Sequence, residues 1–205
     1  MAGRKRVAVV LAVFFLLWWL VVWLRVQPRA LFVLVKALVW IGGPAVYLRF
    51  VDGRDPLEFL QLKTHPRSGL VWSMVVLVVI GPLWVLAVVL LRWKSLDLSR
   101  WTPSNLVGAL LVAALIEEIA MRGFVLGKLR EVARFWTANL LTGLFFVAIH
   151  WQAWLFSGAI ARGRIPAMSL SILALSLAAG YLVRKSGSVW PAVALHGVQN
   201  LVALL

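Results

Sequence analysis

An all-α fold, a polytopic transmembrane helix bundle of about seven spans, follows from three features of the 205-residue chain. Hydrophobic residues make up 63% of it and charged residues only 14%, against roughly 45–50% and 25% in soluble domains. The mean hydropathy is +0.95. The apolar residues also fall into runs of about twenty, the length that crosses a bilayer core as a helix.

The first run, Val7 to Leu24, follows Arg4-Lys5-Arg6. It is longer than a signal-peptide apolar region and no small-x-small cleavage site follows it, so it reads as an uncleaved helix. The second, Ala30 to Tyr47, is expected to bend or end at Gly42-Gly43-Pro44. Its Lys36 is expected to snorkel or to line the bundle, and receives no role. Arg49 to Gly69 is the one extended polar stretch, a loop with an interfacial helix around Leu57–Leu62. The third span, Leu70 to Leu91, should kink at Gly81-Pro82. Arg92 to Trp101 reads as an interfacial loop. Thr102-Pro103-Ser104 then opens the fourth helix, which runs to about Arg122 and gives way to a basic interfacial segment, Gly123 to Phe135. Gly108, Ala109, Ala113 and Ala114 on that helix would let a partner backbone come close. Trp136 to Phe156, Ala167 to Val183 and Val189 to the C-terminus make the fifth, sixth and seventh spans. The loops Ser157–Pro166 and Arg184–Ser188 separate them.

The net charge of +14 comes from basic residues in short clusters between apolar runs. That is how loops facing anionic headgroups are built, and it argues against nucleic-acid binding, which wants a continuous basic face. The clusters at Arg4–Arg6, Arg49–Arg67, Arg122–Arg134 and Arg184-Lys185 outweigh those on the other side, so the N-terminus is expected in the cytoplasm. Compact size and this loop charge suit a prokaryotic plasma membrane. Trp18, Trp19, Trp40, Trp93, Trp101, Trp136 and Trp190 are read as an interfacial belt. The absence of cysteine removes disulfides, thiolate metal sites and a cysteine nucleophile.

The informative residues are polar groups in the wrong solvent. Glu117 and Glu118 follow the run Leu110–Ile116 directly, and a carboxylate at membrane depth costs roughly 2.5 kcal/mol or more. His150 and His196 lie in two further spans, while His65 sits in the polar loop. Adjacent residues on a helix point about 100° apart, so the two glutamates have different targets. Glu118 stands four residues before Arg122, the favourable order for an ion pair. Glu117, with no cation on its own face, is left for a neighbouring helix and for general-base work. His196 and Asn200 share a face and can present two hydrogen-bond donors to a developing oxyanion. On residue types and spacing alone, an ion- or proton-coupled transporter competes with an enzyme.

These same residues resemble the motifs of the CPBP family, which comprises CAAX prenyl endopeptidases of the Rce type, Abi proteins and bacteriocin-processing proteins. Glu117-Glu118-Ile119-Ala120-Met121-Arg122 matches its EExxxR motif. Phe146-Val147-Ala148-Ile149-His150 matches FxxxH, and His196-Gly197-Val198-Gln199-Asn200 matches HxxxN. The resemblance covers residues 104–205, so the chain divides into N-terminal helices with an interfacial loop (1–103) and a catalytic core of helices four to seven (104–205). It implies an intramembrane endopeptidase. Glu117 would be the general base, helped by His150; His196 and Asn200 would hold the oxyanion; Glu118 and Arg122 would support the site. It implies no cofactor, with zinc on Glu117, His150 and His196 as the alternative, since two histidines and a glutamate plus water make a zinc site. The expected partners are the lipid bilayer and a membrane-anchored or C-terminally hydrophobic protein substrate. A non-catalytic immunity or scaffold protein of the same family is a further alternative.

Overall fold

The computed structural model of the protein describes residues 2–24, 27–92, 99–156 and 163–204. Among the described residues every regular element is a helix. We number these α1 (Ala2–Trp23), α2 (29–51), α3 (Pro56–Phe59), α4 (66–92), α5 (103–130), α6 (Phe135–Phe156), α7 (Ile165–Ser186) and α8 (Trp190–Ala203). Among the described residues, four stretches are long and apolar enough to cross a membrane: Gly3–Trp23, Ala30–Val51, Pro66–Leu91 and Ile165–Ser186. Only 11% of the apolar window in Pro66–Leu91 is buried within the protein. Large side chains such as Leu83, Leu90 and Leu91 therefore point outward, as a lipid-facing surface requires. The last helix has 14 residues, about 21 Å at 1.5 Å per residue, short of the ~30 Å hydrocarbon core. Most of the expected loops at Arg92–Trp101 and Ser157–Pro166 lie outside the described residues.

The expected bend or end at Gly42-Gly43-Pro44 and the expected kink at Gly81-Pro82 both fall within continuous helices. α2 continues through Gly42-Gly43-Pro44 to Val51, and α4 through Gly81-Pro82. In each, a wider turn lies just before the glycine. The Gly43 N–H bonds the Leu38 carbonyl and the Gly81 N–H bonds that of Val76, five residues back rather than four. A proline ring collides with the carbonyl four residues behind it, and widening the preceding turn relieves that collision without ending the helix. The expected interfacial segment from Gly123 is likewise helical, since α5 runs on to Arg130. Gly123 serves close approach instead: a Cβ there would stand 3.0 Å from the Leu60 carbonyl oxygen.

Local signals set the remaining boundaries. The Thr102 hydroxyl accepts the Asn105 N–H at 3.3 Å and Pro103 fills the first turn of α5. The Asp55 carboxylate accepts the Glu58 N–H at 3.0 Å and caps α3. The bond from Lys63, followed by that from Glu58, holds the Asp55 carboxyl below the usual carboxylate range. Gly187, at φ +69°, closes α7 with its N–H on the Val183 carbonyl.

Two sets of contacts fix the frame around the core. Lys128, 2% exposed, reaches Asp52 at 2.7 Å and Glu131 at 2.8 Å, and Arg6 bonds Asp52 at 2.6 Å. This ties α1, α2 and α5 together at one end. Burial pushes the Asp52 carboxyl up, but hydrogen bonding from Lys128 and Tyr47 and the charges of Lys128 and Arg6 overcome it and leave it below the ordinary range. The polar loop holds the start of α8: Thr64 Oγ1 donates to the Gly187 carbonyl at 2.6 Å, and Trp190 Nε1 to that of Leu62 at 2.9 Å. The 107–115 part of α5 packs along α8, with Ala114 fully buried. His65 is exposed, as expected of a loop residue.

The tryptophans divide. Trp136 and Trp190 are 60% and 40% exposed, in keeping with a belt. Trp18 and Trp40, at 7% and 1%, are interior walls instead, packed edge to face at 4.6 Å. Trp93 lies outside the described residues.

Candidate active site

The polar residues of four helices meet in the interior. α5 brings Glu117, Glu118 and Arg122; α6 brings His150; α8 brings His196 and Asn200; α2 brings Lys36. Glu118 and Arg122 are fully buried and pair through Arg122 Nη1 and Glu118 Oε1 at 3.0 Å. The same carboxylate oxygen accepts from His196 Nδ1 at 2.7 Å. The Arg122 guanidinium also lies over the Phe146 ring, 4.7 Å from its centroid. Phe146 is itself fully buried and meets the His196 and His150 rings edge to face, at 5.9 and 4.7 Å. The phenylalanine of the FxxxH segment is therefore a pillar between the three helices.

Glu117 uses its two oxygens differently. Oε1 bonds Lys36 Nζ at 2.5 Å. Oε2 stands 3.9 Å from His150 Nε2 and 3.9 Å from His196 Nε2. These gaps are too long for direct hydrogen bonds and match a contact bridged by one water molecule. Glu117 thus has a cation after all, supplied by another helix 81 positions away in sequence.

Hydrogen bonding on the far side of each ring assigns its tautomer. His150 Nδ1 lies 2.7 Å from the Phe146 carbonyl oxygen, which can only accept, so Nδ1 carries the proton. His196 Nδ1 faces the Glu118 carboxylate and likewise donates. When neutral, each ring therefore turns an unprotonated Nε2 toward Glu117. His196 can donate from Nε2 only as imidazolium, with Glu118 as counter-charge. Asn200 lies one turn beyond His196, half-buried on the same helix.

All six residues expected at a site are accounted for, and five of them are in mutual contact or within 3.9 Å of one another. Lys36 was missed. Its signal was present, a lone cation in an apolar run, but nothing in the sequence names a partner on another helix. Beside His150 opens a cavity of about 340 Å³, with Trp154, Met168, Ile172 and Gln199 in its walls.

A zinc ion here would have to use Glu117 Oε2 and the two Nε2 atoms. The lone pairs are available, but ligands sharing a tetrahedral zinc at 2.0–2.1 Å sit about 3.4 Å apart, less than the 3.9 Å found. The carboxylate is also already neutralised by Lys36. The donor set fits zinc poorly.

Residues 99–202, just over half of the chain, match the model of the family described as type II CAAX prenyl endopeptidase, Rce1-like. That stretch contains Glu117, Glu118, Arg122, His150, His196 and Asn200. Neither a curated protein nor a solved structure matches the chain. With its outward-facing apolar helices and a matched region that holds the buried acid–imidazole cluster, this integral membrane protein belongs to the Rce1-like family of type II CAAX prenyl endopeptidases.

Proposed function

We propose that the protein is an intramembrane endopeptidase that hydrolyses a peptide bond with a water activated by Glu117 and His150, without a metal. The observation that carries this reading is the position of Glu117 Oε2, 3.9 Å from His150 Nε2 and 3.9 Å from His196 Nε2. One water between Oε2 and His150 Nε2 could give a proton to either acceptor as its oxygen attacks the scissile carbon. The carbonyl oxygen, gaining negative charge, would take hydrogen bonds from Asn200 and from His196 as imidazolium, balanced by Glu118. The proton then passes to the leaving amine, so that water and one peptide bond become a carboxylic acid and an amine. Arg122 holds Glu118 in place through their ion pair.

The substrate proposed is a membrane-anchored or C-terminally hydrophobic protein. Met168, Ile172 and Trp154 give the cavity beside His150 apolar walls, suited to an apolar side chain next to the cleaved bond. Seven spans are proposed, with α5, α6 and α8 crossing in addition to the four candidate spans found among the described residues. α8 is the shortest of the seven. An N-terminus in the cytoplasm of a prokaryotic cell is supported by the distribution of basic residues.

The test is cleavage of a pool of fluorogenic membrane-tail peptides by the purified protein in detergent. Glu117→Gln and His150→Ala should each lose about a hundredfold or more, while a strong zinc chelator leaves the wild type unchanged. Activity lost to chelator and restored by zinc would overturn the metal-free mechanism. Proton flux altered by Glu117→Gln with no cleavage product would favour a transporter.

A further inference from the structure

We propose that Lys36 is a positioning residue of this site: its ammonium holds one oxygen of Glu117 so that the other faces the two imidazoles. Its catalytic consequence rests on the endopeptidase reading; the contact itself does not. Lys36 belongs to α2, outside the residues that match the family. It is 8% exposed and enclosed on three sides. Glu117 Oε1 lies 2.5 Å from Nζ, and the Trp40 and Trp18 rings lie 5.0 and 5.5 Å away. A lysine in an apolar span ordinarily extends toward the headgroups. Here the side chain turns inward and two aromatic faces receive its charge.

Three consequences follow for Glu117. The groups facing it are Lys36 from α2, His150 from α6 and His196 from α8, with Glu118 and Arg122 on its own helix. Lys36 is the cation in direct contact with Glu117, because Arg122 is bonded to Glu118. First, the ammonium offsets the cost of burying the Glu117 carboxylate. Second, anchoring Oε1 stops the carboxylate from rotating, leaving Oε2 aligned with both Nε2 atoms. Third, the N-terminal helices become part of the catalytic apparatus rather than a membrane anchor attached to it.

The experiment uses the full chain in detergent, comparing wild type, Lys36→Met, Lys36→Arg, Glu117→Gln and the Lys36→Met/Glu117→Gln double variant. The readouts are kcat and KM per folded molecule on a tail peptide that the wild type cleaves, and the thermal midpoint. Lys36→Met should lose about a hundredfold in kcat with KM changed less than about twofold. Lys36→Arg, which retains the charge and stacks on tryptophan, should return to within about tenfold of wild type. The midpoint of Lys36→Met should fall, and that of the double variant should recover, because an unpaired buried charge is worse than none. A wild-type kcat per folded molecule in Lys36→Met would overturn the role and leave only a helix tether. Additive midpoints would overturn the pair itself. If the wild type cleaves no tail peptide, the endopeptidase reading fails and the positioning role with it, while the midpoints still report the pair.

Discussion

The Glu117-Glu118 pair illustrates how one helical step of about 100° separates two identical side chains into two environments. Glu118 is spent on structure, between Arg122 at 3.0 Å and His196 at 2.7 Å. Glu117 is left with one oxygen on Lys36 and one toward two imidazoles. The Glu118–Arg122 contact was legible from the four-residue spacing, whereas the approach of His196 to Glu118 was not, because they stand 78 positions apart. Arg122→Met should cost about 3–5 kcal/mol, since it strands a buried carboxylate. Denaturant titration in micelles measures this, and a loss below about 1 kcal/mol would show that His196 alone suffices for Glu118.

At the scale of elements, helix existence was readable and helix ends were not. Runs of apolar residues announced α1, α2, α4, α6 and α7, but the end allowed at Gly42-Gly43-Pro44 and the end placed near Arg122 both fell too early. Gly42-Gly43-Pro44, Gly81-Pro82 and Gly123 all sit inside continuous helices, where neighbouring helices make up for weak local propensity. Gly123 admits the Leu60 carbonyl, and Gly180 has a similar purpose. Asn139, fully buried on α6, donates from Nδ2 to the Leu177 carbonyl at 3.0 Å, and its side chain fills the space where a Cβ on Gly180 would be. Gly180→Ala should therefore destabilise the protein by about 1–3 kcal/mol. Pairing it with Asn139→Ala should recover part of the loss. A Gly180→Ala midpoint equal to wild type would mean that α6 and α7 can separate freely.

For the molecule as a whole, the proposed seven spans put the two termini on opposite sides of the membrane. The chain has no cysteine, so single cysteines report position without background. Gly3→Cys should react with an impermeant maleimide in inverted vesicles and Leu204→Cys in right-side-out ones. Labelling of both from one side would require an even number of spans, and α8, with its 14 residues, would be the first to reassign.

Composition and periodicity by themselves determined that the chain is a helical membrane protein. They also singled out Glu117, Glu118, His150 and His196, because polar groups in hydrocarbon are too costly to be incidental. What only the tertiary structure decided is how those groups are shared out. Lys36 was expected to snorkel or to line the bundle without a role, and Trp18 and Trp40 looked like an interfacial belt, yet the three form one buried cation site against Glu117. Spacing along one helix reveals which side chains share a face. Which face of a second helix meets it depends on packing between distant segments, and a local pattern does not encode that.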